Sequence, residues 1–315
     1  MNDYSLEAID PVYTILTTID ENGWELCFAA RQSGFFLSKD GGIHWQTGFQ
    51  SLQLDSPLSV TAAAISPSFR SDHTLFCGVP GGILYTIDGT KSWSSAIFQT
   101  PPPVISCIAL SPDYLEDGIL FAGTLEDGIF RSADRGSRWS PWNFGLLDLS
   151  ILSLAISPGF KQDETILAGT SSGVFISENG GRAWREMDFP VDYAPVLCLA
   201  LSPDYPQSGT IFAGTESRGL YQSTDNGDTW QRLGEEAIPD TVNNILLSQN
   251  FLRLPEILIL TADSLQFSRD RGITWNTWKQ NLVFDQNPTA MAALSGLHEN
   301  MALLIGFEDG QIMRI

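Results

Sequence analysis

Apolar residues in this chain come in short bursts separated by turn residues, with no sustained helical spacing. The stretch 105–139 shows the unit. An apolar run, Ile105–Leu110, ends at Ser111-Pro-Asp-Tyr-Leu-Glu-Asp-Gly118. A second run, 119–123, turns tightly at Leu125-Glu-Asp-Gly128 into a third, 129–132, and a fourth begins at Trp139. The first two runs are apolar at successive positions, as strands covered on both faces are. Four strands, A to D, are therefore expected per unit.

The unit repeats. Ser38-Lys-Asp-Gly-Gly-Ile-His-Trp45 returns as Thr86–Trp93, Ser132–Trp139, Ser177–Trp184, Ser223–Trp230 and Ser268–Trp275, and the tryptophans are 48, 46, 45, 46 and 45 residues apart. Four strands at this period are the signature of propeller blades. After Trp275 come three more strand-like runs, 290–295, 302–306 and 311–315, with no fourth. The segment Tyr4-Ser-Leu-Glu-Ala-Ile9 stands where a strand D would precede the first strand A. The expectation is one seven-bladed, all-β propeller over 1–315, with blade seven made of 288–315 and an N-terminal strand at 4–9. Such closure removes open sheet edges.

Within each eight-residue box, the Ser and Asp side chains suit bonding to the backbone of their own turn. The glycine admits positive φ, and the tryptophan is placed to pack between blades. Expected structural positions are Ser38, Asp40 and Trp45; Asp88 and Trp93; Ser132, Asp134 and Trp139; Ser177, Asn179 and Trp184; Ser223, Asp225 and Trp230; and Ser268, Asp270 and Trp275. Asn179 for Asp, Thr86 for Ser and Thr90 for Gly predict looser outer turns in blades 2 and 4.

These boxes resemble the Asp-box, or BNR, repeats of sialidases, the sortilin ectodomain, oligoxyloglucan hydrolases and photosystem II assembly-factor propellers. The resemblance implies the fold and leaves the function open. A sialidase-like site would need an arginine cluster. Eight of the thirteen arginines instead lie in or beside the boxes, which in that family face away from the active site. The Phe/Tyr-Arg-Ile-Pro motif is absent, and two-propeller hydrolases would need a second disc. Gly169-Thr-Ser-Ser-Gly173 matches a nucleophile elbow in letters, but it aligns with B–C hairpin turns rather than a strand-to-helix turn. His44, His73 and His298 stand apart, without zinc-ligand spacing. No catalytic residue, metal ligand or cofactor is expected. Repeated Asp72, Asp117 and Asp163 are expected to pin the A–B loops.

Charge narrows the partners. Seventeen basic against 37 acidic residues give a net charge of −20, with only four lysines. That balance disfavours nucleic acid and anionic membrane. Cys27, Cys77, Cys107 and Cys198 sit in apolar runs and are expected to be free buried thiols. No leader, no membrane-length apolar run of ~18–20 residues and no open glycosylation sequon is visible, so a cytoplasmic location is expected.

The D–A and B–C connections share one face. By the repeat they carry Asp10, Asp55, Asp148, Asp188, Asp192, Glu235, Glu236, Asp240 and Asp285, with Glu126, Asp127, Glu216, Asp263, Glu308 and Asp309, against only Arg31 and Arg218. Phe144, Leu146, Leu147, Phe189, Tyr193 and Phe284 are interleaved with them. The expected function is a non-catalytic scaffold, monomeric by itself, that docks a basic protein partner there. Its expected contacts are Glu126, Asp127, Asp192, Tyr193, Glu216, Glu235, Glu236, Asp263, Asp285, Glu308 and Asp309. The alternative is a glycoside hydrolase or lectin using carboxylates at the channel mouth.

Overall fold

A computed structural model describes residues 9–98, 101–191, 193–294, 296–297 and 301–315. Seven antiparallel sheets follow one another along the chain, over 12–47, 62–97, 105–141, 151–186, 196–233, 242–277 and 288–314. Six have four strands, and the described part of the seventh has three. In blade 1 the strands are Val12–Ile19, Glu25–Arg31, Gly34–Ser38 and Gln46–Thr47, paired in sequence order. The chain forms a seven-bladed β-propeller. The closing strand expected over 4–9 lies, apart from Ile9, outside the described residues.

Strand D is shorter than the sequence implies, two residues in blades 1, 3, 4 and 6. The Asp box consumes the residues before it. Each of the first five A–B loops except that of blade 1 also holds one helical turn, Phe69–Asp72, Tyr114–Asp117, Phe160–Asp163 and Tyr205–Ser208, whose leading aromatic ring is buried. Four residues are too few to show a helical period. Asp72, Asp117 and Asp163 pin these loops. Each accepts a 2.6 Å bond from the loop's opening serine hydroxyl, and each accepts the amide two residues onward.

Among the described residues there are seven buried clusters, and each spans two adjacent blades, one of them joining Ala290, Ala292 and Leu304 to Val12, Ile15 and Cys27. A recurring steric device sets the approach. Near the end of strand B, Gly78, Gly123, Gly169, Gly214 and Gly306 leave a gap filled by the first residue of the next strand A. A Cβ there would meet Ile105 at 2.8 Å, Ile151 at 2.6 Å, Val196 Cγ1 at 2.9 Å, Val242 at 2.5 Å and Val12 at 2.5 Å. Blade 1 has Ala30 at this position, opposite Val60 in the same cluster. The Gly306–Val12 contact shows that the ring closes by the rule that joins its interior blades. Thr289 Oγ1 donates to the Val12 carbonyl at 2.8 Å across the same seam.

The Asp boxes repeat one bonding scheme. Ser38 Oγ donates to Asp40 at 2.8 Å and accepts the Gly42 amide at 2.8 Å, while Asp40 accepts the His44 amide at 2.9 Å. The box at 132–139 has the same three bonds. The box also donates a backbone N–H to the end of the A–B connection of its own blade, as in Gly41 to Glu25, Arg135 to Gly118 and Asn226 to Gly209. Asn179 is a correction to the expected loosening. Its Oδ1 accepts from Ser177 Oγ and from the Ala183 amide, both at 2.9 Å, so an amide oxygen replaces the carboxylate without loss of a bond. Thr90 does depart. It holds φ of 81°, where Gly42, Gly136, Gly181, Gly227 and Gly272 hold 87–88°. Its amide reaches Thr86 Oγ1 at 3.2 Å.

Two outcomes follow. Gly214→Ala and Gly306→Ala should each lower unfolding free energy by roughly 1–3 kcal/mol through overpacking, read as the shift in a urea or guanidinium midpoint. A neutral Gly306→Ala beside a damaging Gly214→Ala would show that the seam is packed differently. Thr90→Gly should raise stability by about 1 kcal/mol, because a β-branched residue at positive φ is strained, and the same midpoint measurement reads it.

Candidate functional site

Antiparallel order puts the D–A and B–C connections on one face and the A–B loops and Asp boxes on the other. Backbone bonds knit the first set together around the ring. Leu125 N–H donates to Val104, Gly128 to Leu149, Glu216 to Pro195, Gly219 to Asp240 and Glu308 to Asn287. The segment 169–173 is such a B–C turn between strands Ile166–Thr170 and Val174–Ser177, and no helix follows it.

The central channel opens on this face into a cavity of about 470 Å³, lined by the A strands of all seven blades. Tyr13, Thr14, Ser106, Ser153, Asn243, Asn244 and Thr289 are its polar lining, and no carboxylate or basic side chain is part of it. Cys107 and Cys198 also line it, and burial pushes both thiols up to about 12. All four cysteines are free. The carboxylates expected at the channel mouth thus belong to the rim.

The rim residues do not converge on one spot. Glu126 and Asp127 sit exposed in the B–C turn of blade 3, whereas Glu308 and Asp309 occupy that of blade 7. Glu308 accepts from Asn287 at 2.8 Å and Asp309 from the Gln311 amide at 2.9 Å. Asp10 is occupied by Arg31 and by the amide and hydroxyl of Ser33. Arg31 also stacks on Phe36. Glu216 is exposed, and its carbonyl accepts from Thr241. Glu235 and Asp285 are exposed on D–A loops, and Tyr193 is 87% exposed. Asp192 and His298 lie outside the described residues.

Two places concentrate chemistry. One is an apolar patch on blades 3 and 4. Phe144 and Leu147 are 80% and 79% exposed on the connection 143–149, which meets the blade 3 B–C turn where Asn143 donates to the Asp127 carbonyl and Gly128 N–H to the Leu149 carbonyl. Leu125, Glu126 and Asp127 of that turn, with Val104 and Leu149, are exposed as well. The other is a cleft of about 440 Å³ between the blade 5–6 connection and the B–C turn of blade 6, where Glu236, Asp240 and Asp263 meet Gln266 and Trp275. Gln266 and Trp275 were not among the expected contacts. Their signal was in the repeat: two residues before the box serine, five blades have Phe36, Leu84, Phe130, Phe175 and Tyr221, and blade 6 has Gln266.

Among the described residues, no group of three or more His, Cys, Asp or Glu side chains is arranged to hold a metal ion. No described helix is long and apolar enough to cross a membrane.

The fold and its boxes make the chain an Asp-box β-propeller. The Sortilin-Vps10 family model (Sortilin, neurotensin receptor 3) matches residues 127–244. Similar solved structures include YCF48 bound to D1 peptide, at 18% identity and a TM-score of 0.70, covering 97% of this chain and 93% of that one. The GH74 xyloglucanase from Xanthomonas campestris has 16% identity and a TM-score of 0.74, covering 98% and 52%. The extracellular domain of a one-component system from B. thetaiotaomicron has 18% identity and a TM-score of 0.70, covering 98% and 39%. The chain thus spans about half or less of the latter two structures. At these identities the likeness is one of fold. No curated protein matches the chain.

Asp148 anchors the patch. Burial alone would raise its pKa, but bonds from the Ser150 amide, Ser171 and Ser172 outweigh burial and hold it below the ordinary carboxylate value. A depressed folded-state pKa contributes stability above the unfolded value of about 4, which is lost as pH falls through the folded one. Amide hydrogen exchange at Ser150 and Ser172 should therefore accelerate below about pH 4, and Asp148→Asn should remove most of that pH dependence.

Proposed function

We propose that the protein is a non-catalytic docking module that holds a polypeptide of basic and apolar character on its D–A/B–C face. The observation that carries this reading is the patch around Phe144 and Leu147 beside Glu126 and Asp127. Large apolar side chains left together in water mark interaction surfaces. A surrounding rim of one charge steers and orients a complementary partner. The net charge of −20 adds a long-range field of the same sign. YCF48 is described bound to D1 peptide, and the chain covers nearly all of that structure, so a disc of this size can hold a peptide. The hydrolase alternative has less support, because the channel lining contains no carboxylate pair to act as acid and base.

The experiment compares tagged wild type, a Phe144→Ser/Leu147→Ser variant, a Glu126→Gln/Asp127→Asn variant, and Ile273→Ser on the opposite face, each recovered from its native cell. A stoichiometric partner should be retained by wild type and Ile273→Ser. The apolar variant should lose it by about tenfold or more, as removal of buried anchors does. The charge variant should weaken recovery most at low salt. Equal recovery by all four proteins, or a wild type that comes out alone, overturns the reading.

A further inference from the structure

In blades 3 and 5, a ring from the preceding D–A connection plugs the space above the box tryptophan. Phe98 lies 5.0 Å from Phe130 and 5.4 Å from Trp139, and Phe189 lies 5.1 Å from both Tyr221 and Trp230. Blade 6 lacks this plug. Gln266 replaces the aromatic residue of strand C, and the connection supplies Glu236 and Asp240. The vacated volume is the cleft of about 440 Å³, with Trp275 on one side and Asp263 at its edge.

The bonding inside the cleft is one-sided. Gln266 is 6% exposed, and its amide nitrogen donates to Ser264 and Thr277, while its carbonyl oxygen has no hydrogen-bond partner among the described residues. That oxygen is open to the cleft, where it can accept from a donor that enters. Asp263 accepts only the Thr261 hydroxyl, and the side chains of Glu236 and Asp240 make no bond or ion pair with any described residue. No basic side chain lines the cleft. Arg232, on strand D of blade 5, donates to the Pro239 carbonyl in the connection.

We infer that this cleft is a pocket for a guanidinium group, taken from an arginine of the docked polypeptide. The inference rests on the docking reading and deepens it by naming a side chain that the partner inserts. A guanidinium carries five N–H donors and no acceptor, and its flat face stacks on aromatic rings. The cleft offers the complement: three carboxylates, an unpartnered amide oxygen and the Trp275 ring. A metal ion suits the site poorly, since the carboxylates form no ligating cluster. A neutral sugar would use the ring and the amide but leave the three charges without a partner.

The test uses the full chain and Nα-acetyl-arginine amide as probe, followed by chemical shifts at the amides of 262–264 and the Trp275 indole. The probe should shift these signals saturably, and the uncharged citrulline counterpart should not. Glu236→Gln/Asp263→Asn should weaken binding by about tenfold or more, one charge-assisted bond being enough for that, with an unchanged melting temperature. Gln266→Leu should weaken it as well. No shift, an equal response to citrulline, or a response to a xyloglucan oligosaccharide instead overturns the assignment. If arginine amide fails while Phe144→Ser/Leu147→Ser still loses its partner, the pocket falls and docking stands. If arginine amide binds while no surface variant affects partner recovery, docking falls and the guanidinium site stands alone.

Discussion

The fold depends on a missing methyl group. Where strand B ends, a glycine lets the first branched residue of the next blade press against the sheet, and a Cβ in that place would stand 2.5–2.9 Å from it. Protein interiors are packed too densely to absorb such a contact by small shifts. The spacing between blades is therefore fixed at the five joints that carry this glycine, among them the one that brings Gly306 back to Val12, while blades 1 and 6 have Ala30 and Leu260 at the position. A second set of glycines acts at the outer end of the blade. The Cβ that Gly42, Gly136 or Gly272 lacks would strike Leu304, Phe76 or Leu233 of the preceding blade. Blades that carry both glycines are thus held at an inner and an outer point, and the apolar clusters between blades fill the wedge that these points define.

Such regularity makes departures from it informative. Where a repeated position is filled for packing, the same residue type recurs, so a different type at one blade reports a different local demand. Thr90 is a departure with a cost, because it takes a glycine conformation, and a cleft of about 350 Å³ opens between its turn and blade 1. Gln266 is a departure of another kind, since a polar side chain sits buried where five other blades place large apolar ones. Phe144 is a third. It stands five residues after Trp139, as Phe98 and Phe189 do after Trp93 and Trp184, yet it is left in water while Leu146 goes into the core in its place.

Much of the architecture was legible in the sequence, and for physical reasons. The box tryptophans are large, scarce and evenly spaced, and the strands between them are apolar enough to show their number. The box bonds are local, so Ser38 and Asp40 could be assigned from their own turn. The four helical turns were not legible, because four residues carry no period. The rim was legible only in part. Loop order tells which face Glu126 and Glu308 share, but their positions around the ring depend on the closed geometry, which sets blade 3 apart from blade 7. For the same reason the sequence grouped eleven contacts, of which the structure distributes the ten described ones around the rim. Gln266 was readable only by aligning the six strand C segments against one another.

The face rather than the channel is then where recognition has room to develop. The channel is bounded by the A strands, whose side chains must also satisfy their neighbours. Ser153, Asn243 and Thr289 each donate to the first strand A carbonyl of the next blade. A change there disturbs the joint between blades before it alters any ligand. On the D–A connections that duty falls to buried residues such as Phe98, Leu146, Phe189 and Ile238, whereas the exposed Phe144, Leu147, Glu236 and Asp240 can change with little effect on the ring. A rigid disc with a freely variable rim separates stability from recognition. Solved structures of similar fold and under 20% identity include both a protein bound to a peptide and a xyloglucanase, as one scaffold with different sites allows.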